Sequence, residues 1–157
     1  MIKVGDKIPA VGVTAVKAGE TESVTADQLF SGKKVVLFAL PGAFTPTCSA
    51  SHLPGFVVNA DELHAKGVDM IACLSVNDAF VMKAWADSQN AEQLTMIADG
   101  GAKLTKALGL EMDSGAFGGI RSRRYAMIIE DGVVTTLNLE QPKEFKESSA
   151  EAMLALL

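Results

Sequence analysis

The sequence has few of the residues that build disulfide frameworks and metal centres. Its 157 residues include two cysteines, Cys48 and Cys73, and two histidines, His52 and His64. Two cysteines give little framework for stapling a fold, and a domain of this size does not need one. No Cys-x-x-Cys pair occurs, and no cluster has the spacing of a zinc site. We therefore expect free thiols and no metal.

The chain also has no run of lysines and arginines and no long apolar stretch. Its net charge of −5 comes from 14 basic and 19 acidic residues, so nothing indicates nucleic acid or an anionic membrane as a partner. No segment approaches the ~18 apolar residues of a membrane span. The first residues lack the apolar core of a signal peptide. We expect a cytoplasmic protein that binds neither nucleic acid nor membranes.

The regular elements indicate an α/β fold in a single domain spanning residues 1–157. Apolar, β-rich runs predict strands over Lys34–Leu40, Val68–Val76 and Thr95–Ala98, and helical segments follow each of them. An Asp131-Gly132 turn predicts a hairpin near the C-terminal end. This alternation favours a mostly parallel central sheet with helices on both sides. With the antiparallel hairpin added, the outline is a thioredoxin-like three-layer sandwich.

Four other segments have weaker patterns. Val11–Val16 could be a strand, and Ser23–Ser31 reads as a short helix capped near Thr25. The glycine-rich residues 110–120 predict a mobile loop. Residues Ser148–Leu157 predict a closing helix that begins at Ser148 or Ser149.

The most informative stretch follows the strand that ends at Leu40. Pro41 starts a turn, and Thr45-Pro46 has the form of a helix start, with Thr45 as N-cap and proline at the first helical position. Cys48 then falls at about the third helical position, where free N–H groups and the helix dipole favour an anionic sulfur. Most free cysteines are buried and inert. Here the strand end, the turn and the cap together favour a reactive thiolate.

The three arginines all lie within four positions. Arg124 opens a predicted strand and shares a face with Ala126 and Ile128 by period-two alternation. A guanidinium there either reaches solvent or meets an anion, and the pattern does not decide between them. For Arg121 and Arg123 a solvated surface position fits better. A cation beside Cys48 would favour the thiolate and could orient a polar substrate.

Three further side chains have competing interpretations. The Thr45 hydroxyl could cap the helix, hydrogen-bond a molecule approaching the sulfur, or alternate between the two. His52 lies one turn after Cys48 and on its face, where a capping or packing role is favoured over that of a base. Cys73 lies deep in an apolar strand, which predicts a buried, inert thiol.

With these residues identified, the chain resembles the peroxiredoxins, specifically the type II branch that includes the atypical two-cysteine enzymes. Pro41, Thr45 and Cys48 match the family signature Pro-x-x-x-Thr-x-x-Cys. The similarity extends over essentially the whole chain, in Ser49–Phe56, Ile71–Phe80, Gly119–Ser122 and the Arg124-Tyr-Ala-Met start of the hairpin.

The resemblance implies an antioxidant enzyme that reduces hydrogen peroxide and alkyl hydroperoxides without a cofactor. Cys48 would be the peroxidatic nucleophile and become a sulfenic acid. Thr45 and Arg124 would hold the peroxide oxygens, and Pro41 would shield the sulfur from water. The resemblance also implies a homodimer.

The chain departs from the atypical two-cysteine pattern in one respect. Those relatives carry a resolving cysteine in the C-terminal segment, whereas residues 130–157 contain none. Cys73 matches a mid-sheet cysteine of the relatives, where burial makes it a poor resolver. We therefore expect an external thiol to recycle Cys48, with glutathione and glutaredoxin as first choice and thioredoxin as second.

Two other functions remain open at this point. Cys48 could act as a peroxide sensor that relays its oxidation to a partner protein. A thiol–disulfide oxidoreductase of the same fold is the other alternative, although the missing Cys-x-x-Cys pair argues against it.

Overall fold

A computed structural model describes all residues from Met1 to Leu157. The chain forms nine strands, six α-helices and a π-helical turn at Cys48–His52. In chain order the elements are β1 (Gly12–Lys17), β2 (Glu20–Thr25), α1 (Ala26–Phe30), β3 (Lys34–Ala39), the π-helical turn, α2 (Leu53–Val58), α3 (Ala60–Ala65), β4 (Met70–Ser75), α4 (Ala79–Ser88), β5 (Thr95–Ala98), α5 (Lys103–Leu108), β6 (Glu111–Asp113), β7 (Ile120–Ser122), β8 (Tyr125–Glu130), β9 (Val133–Leu139) and α6 (Ala150–Leu154).

The central sheet has seven strands in the order β2-β1-β5-β4-β3-β8-β9, and β6 and β7 form a separate two-stranded sheet. The three middle strands β5, β4 and β3 are parallel. The pairs β1–β2, β1–β5, β3–β8 and β8–β9 are antiparallel. The α/β sandwich is confirmed, but parallel pairing is limited to its centre because a hairpin flanks that centre on each side.

Two hydrophobic cores lie on the two faces of this sheet. Alternate residues of β3 supply them: Val36 and Phe38 belong to one core, and Val35 and Leu37 to the other. The strand is fully buried from Val35 to Ala39, as its uninterrupted apolar run predicts. Cys48 belongs to the same core as Phe38.

The register of the C-terminal hairpin brings Arg124 to the end of β3. Tyr125 pairs with Ala39, so the residue before Tyr125 lies beside the residues that follow Ala39. The hairpin itself turns at Asp131-Gly132, with φ values of 48° and 79°, as an Asp-Gly turn predicts. Distant parts of the sequence therefore meet where β3 ends and the Cys48 turn begins.

Two segments differ from the sequence-based prediction. Ser23 and Val24 lie in strand β2, which pairs along its whole length with β1, so the helix α1 starts only at Ala26. Residues 110–120 are not simply a loop, because Glu111–Asp113 pairs with Ile120–Ser122. In both cases a hairpin partner close in sequence outweighs the local pattern.

The closing helix α6 is confirmed, with the Ser149 hydroxyl accepting a hydrogen bond from the Ala152 N–H at 3.1 Å. No helix of the chain has the length and apolar character needed to cross a membrane.

Candidate active site

The helical segment that carries Cys48 begins at Pro46, and Cys48 is its third residue. The segment then widens into the π-helical turn, in which the Leu53 N–H donates to the Cys48 carbonyl. Pro54 explains this turn: it has no N–H for the Ala50 carbonyl, so regular α-helical bonding cannot pass through. The chain therefore forms a π-helical turn immediately before Pro54.

The Thr45 hydroxyl does not cap this helix, contrary to one of its predicted roles. It donates instead to the Gly42 carbonyl at 2.6 Å. Phe44, immediately before it, has a positive φ of 64°, which folds the Pro41–Thr45 turn back on itself. A hydroxyl that donates to a backbone carbonyl keeps its oxygen lone pairs available to accept a hydrogen bond.

Arg124 lies against the sulfur of Cys48. Its Nη2 donates to Cys48 Sγ at 3.1 Å, and Cys48 is only 1% exposed. The hydrogen bond places a fixed positive charge directly beside the sulfur, and little water is present to screen it. Of the two interpretations of Arg124, the geometry excludes a guanidinium that only reaches solvent and shows one in contact with the sulfur.

His52 holds the other arm of the same guanidinium. Its Nδ1 lies 2.7 Å from Arg124 Nη1 and its Nε2 lies 2.9 Å from the Ser148 carbonyl oxygen. Because arginine only donates, Nδ1 accepts, and the ring proton lies on Nε2 and is donated to Ser148. Burial, together with the positive charge of Arg124, lowers the pKa of His52 to about 3. The geometry supports the packing role, because both nitrogens of the neutral ring are engaged in hydrogen bonds and neither is free to act as a base.

The segment that holds His52 is organised by a buried carboxylate. Glu140 Oε2 accepts hydrogen bonds from the backbone N–H groups of Lys146, Glu147 and Ser148 and from the Ser148 hydroxyl, all at 2.7–2.8 Å. Burial raises the pKa of Glu140, but these hydrogen bonds outweigh it and leave the pKa below its ordinary value. The sequence analysis missed this group, because no local pattern marks a carboxylate that binds a loop following it.

An aromatic ring from the same segment packs against both His52 and Arg124. The Phe145 ring centroid lies 4.9 Å from that of His52 and 5.7 Å from Arg124 Cζ. The guanidinium is therefore fixed by His52, Phe145 and Cys48 together, which leaves it little freedom to rotate.

Arg121 was expected at the solvated surface, and this prediction is wrong. Its Nη1 donates to the Pro41 carbonyl at 2.7 Å, its Nε is buried without a partner, and its Cζ lies 5.3 Å from the centroid of Phe117. The sequence signal that could have indicated a buried Arg121 is the glycine pair Gly118-Gly119 just before β7. Without a Cβ at Gly118, the backbone can lie close to the Arg121 side chain.

Cys73 lies where the sequence predicts. It is fully buried in β4 and pairs in register with Phe38 of β3. Burial, and then the neighbouring Cys48, raise the pKa of the Cys73 thiol. Both cysteines are free, and only one of them lies beside a cation.

The arrangement is a buried sulfur beside one fixed cation, with a hydroxyl in the preceding turn whose oxygen is free to accept a hydrogen bond. Such a site suits a nucleophilic thiolate that attacks a small polar molecule.

The chain matches the family model described as Redoxin over residues 3–154. The chain is a peroxiredoxin. It is 54% identical to chloroplastic peroxiredoxin-2E-2 of Oryza sativa subsp. japonica, an alignment that covers 99% of this chain and 72% of the relative. It is 46% identical to peroxiredoxin-2D of Arabidopsis thaliana, with 99% and 98% covered. The crystal structure of reduced Prx3 from Vibrio vulnificus in complex with H2O2 superimposes with a TM-score of 0.96 at 60% identity, covering 99% of each chain.

These relatives confirm the family and the type II branch that the resemblance indicated. The protein is accordingly a thiol-dependent peroxidase with a thioredoxin-like fold, which takes a peroxide as substrate and a thiol as reductant.

Proposed function

We propose that Cys48 is the peroxidatic cysteine and that Thr45, Arg124 and Pro41 complete the catalytic site of this peroxidase. The observation that carries the proposal is the 3.1 Å hydrogen bond from Arg124 Nη2 to Cys48 Sγ. It supports a sulfur that is anionic before substrate arrives. The Thr45 hydroxyl accepts a hydrogen bond from the incoming peroxide, and Pro41 covers the sulfur on the side of the turn.

The chemical step is a displacement at the terminal oxygen of the peroxide. The Cys48 thiolate attacks that oxygen, an S–O bond forms, and the O–O bond breaks. Cys48 becomes a sulfenic acid, and the departing alkoxide or hydroxide takes a proton from water. Arg124 stabilises the charge that passes from sulfur to oxygen. The sulfur loses two electrons, and the peroxide gains them.

Organic hydroperoxides are proposed substrates beside hydrogen peroxide. A cavity of about 410 Å³ adjoins the site at Pro41 and Arg124, and its other lining residues include Met112, Arg123 and Lys143. A cavity of this volume can hold the organic part of an alkyl hydroperoxide while the peroxide group contacts Arg124.

Recycling of Cys48 is assigned to an external thiol, with glutathione and glutaredoxin first and thioredoxin second. Residues 130–157 contain no cysteine, and Cys73 is buried at the centre of the sheet. One glutathione thiol displaces water from the sulfenic acid to give a mixed disulfide. A second thiol then releases oxidised glutathione and restores Cys48.

The test follows peroxide consumption with glutathione and glutaredoxin supplied, and then with thioredoxin and its reductase. We expect the wild type to reduce many equivalents of peroxide per subunit with glutathione and glutaredoxin, and we expect Cys48→Ser to reduce none. Stoichiometric consumption with every reductant would overturn catalytic recycling and favour the alternative function, a peroxide sensor that relays its oxidation to a partner.

A homodimer is proposed from three exposed aromatic side chains. Phe44, Phe80 and Phe117 are 57%, 87% and 80% exposed. Phe44 packs on Trp85, with ring centroids 6.5 Å apart, and Phe117 lies over Arg121. Phenylalanines exposed to this degree are typical of a contact surface, here for a second copy of the chain. Sedimentation of Phe80→Glu should give a monomer where the wild type gives a dimer.

The proposed location is the cytoplasm, with residues 1–157 acting as one peroxiredoxin domain. Two free thiols and a thiol reductant fit a reducing compartment. The rice relative is chloroplastic by name, so cell fractionation with an antibody to this chain is the direct test.

A further inference from the structure

The turn between β3 and Cys48 is held by two residues from distant parts of the chain. Arg121 Nη1 donates to the Pro41 carbonyl at 2.7 Å. Asn77 Oδ1 accepts from the Ala43 N–H at 3.1 Å and from the Ser75 hydroxyl at 2.6 Å. The Pro41–Gly42 peptide unit is therefore fixed on one side, and the Gly42–Ala43 peptide unit on the other.

The second of these peptide units also orients Thr45. The Gly42 carbonyl accepts the Thr45 hydroxyl at 2.6 Å, so the direction of that carbonyl sets the direction of the hydroxyl. A rotation of the Pro41–Gly42 peptide would turn the carbonyl next to it and with it the Thr45 oxygen. The chain of contacts runs from Arg121 through the backbone to Thr45 without touching Cys48.

Two glycines make room for the Arg121 side chain. A Cβ at Gly42 would meet Arg121 Nη1, with the Thr45 methyl group 3.2 Å away. A Cβ at Gly118 would meet Arg121 Nε and Nη2, and would lie 2.7 Å from Cζ. Neither glycine has a positive φ, so their backbone conformation does not require glycine. What requires it is the close approach of the guanidinium, which Phe117 covers from the outside.

We propose that Arg121 is a positioning residue for peroxide reduction, acting through the Pro41–Gly42 turn to aim the Thr45 hydroxyl at the peroxide. This inference rests on the proposed role of Thr45. It assigns the two arginines different tasks: Arg124 stabilises the thiolate, and Arg121 fixes the acceptor that receives the peroxide.

The central variants are Arg121→Met, which removes the donor and keeps the aliphatic bulk, and Arg121→Lys, which keeps one donor. We expect the second-order rate constant for Cys48 oxidation by hydrogen peroxide to fall ~10- to ~100-fold in Arg121→Met, since small misplacements have effects of this size. Arg121→Lys should recover part of the loss. Lys66→Met is the control for the loss of one positive charge and should keep the wild-type rate, because Lys66 is exposed and makes no side-chain hydrogen bond.

The decisive readout separates orientation of peroxide from formation of the thiolate. Alkylation of Cys48 by iodoacetamide needs the thiolate but no Thr45 acceptor. We expect Arg121→Met to keep the wild-type pH profile of alkylation while losing peroxide reactivity. A parallel loss in both reactions would overturn the proposal in favour of a general structural role.

A double-mutant cycle tests the route through Thr45. If Arg121 acts through that hydroxyl, adding Arg121→Met to Thr45→Val should lower the peroxide rate constant little further. If the fold-losses of the two single variants multiply in the double variant, Arg121 does not act through the Thr45 hydroxyl and the proposal is contradicted.

If Arg121→Met does not fold, Gly118→Ala makes the same test by placing a methyl group where the guanidinium lies. Gly12→Ala, where a Cβ meets nothing within 4 Å, is its control. A wild-type rate in folded Gly118→Ala or folded Arg121→Met would overturn the proposal. Failure of the wild type itself to reduce peroxide through Cys48 would instead contradict the proposed function.

Discussion

His52 Nδ1 accepts a hydrogen bond from Arg124 Nη1 at 2.7 Å. The same guanidinium donates through Nη2 to Cys48 Sγ at 3.1 Å, so a neutral imidazole fixes the cation that faces the sulfur. The backbone of Ser148 fixes the imidazole in turn, at 2.9 Å from Nε2. The sulfur is thus connected through Arg124 and His52 to the C-terminal segment of the chain.

Replacing His52 with alanine should slow peroxide reduction although the ring is not a base in this account. Arg124 would lose one acceptor and gain rotational freedom, which misplaces Nη2 relative to the sulfur. We expect a fall of ~10- to ~100-fold in the rate constant for hydrogen peroxide, measured by stopped-flow fluorescence. His64→Ala removes the other histidine and should leave the rate unchanged. An unchanged rate in folded His52→Ala would refute the positioning role.

The low pKa of His52 predicts a stability that depends on pH. The unfolded ring binds a proton below its ordinary pKa of 6.5, whereas the folded ring stays neutral down to about 3. The unfolded state therefore binds more protons in this window, and the free energy of unfolding falls as pH drops from 6.5 towards 3. The slope from this group approaches ~1.4 kcal/mol per pH unit. Urea titrations at several pH values measure it.

In His52→Gln this part of the pH dependence should disappear. His64→Gln should retain it, because His64 is an exposed side chain. Equal slopes in the wild type and His52→Gln would show that the histidine is not held neutral by burial and Arg124.

Glu140→Gln should destabilise the fold by ~1.5–3 kcal/mol, the range for hydrogen bonds to a charged group. Glu140 Oε2 holds three backbone N–H groups and the Ser148 hydroxyl, and an amide accepts them less strongly. Glu144→Gln is the control, since its pair with Lys146 is exposed and should contribute less than ~1 kcal/mol. Equal urea midpoints for the two variants would count against the buried carboxylate as an organiser.

Cys73→Ala should sustain turnover with glutathione and glutaredoxin at the wild-type rate. The Cys73 thiol is fully buried, and burial raises its pKa, so it cannot readily supply a thiolate to the Cys48 sulfenic acid. Steady-state peroxide consumption is the measurement. Loss of turnover with normal oxidation of Cys48 would make Cys73 the resolving cysteine after all.

The parts of this site that were predictable are those that local patterns encode. The apolar run of β3 and the turn residues Pro41 and Pro46 predicted the strand end and the helix start of Cys48. Alternation along β8 predicted that Arg124 faces the same side as Ala126, and both meet the core that contains Cys48.

The parts that escaped prediction depend on contacts across long sequence separations. Arg121 and Pro41 lie 80 positions apart, and His52 and Ser148 lie 96 apart. No periodicity relates such pairs, so Arg121 looked like a solvated arginine and His52 like a packing residue without a defined partner. The strand β2 escaped for a different reason: its exposed, polar pattern carries no apolar alternation.

The pH profile of Cys48 alkylation in the Cys73→Ala background, with and without Arg124→Ala, tests the account most directly. We predict that Cys48 of the parent reacts with iodoacetamide at nearly its full rate at neutral pH, and that Arg124→Ala needs a clearly higher pH for half-maximal reaction. Lys66→Ala, which removes an exposed positive charge outside the site, should match the parent. Superimposable profiles for folded Arg124→Ala and the parent would contradict the claim that this guanidinium holds the sulfur as an anion.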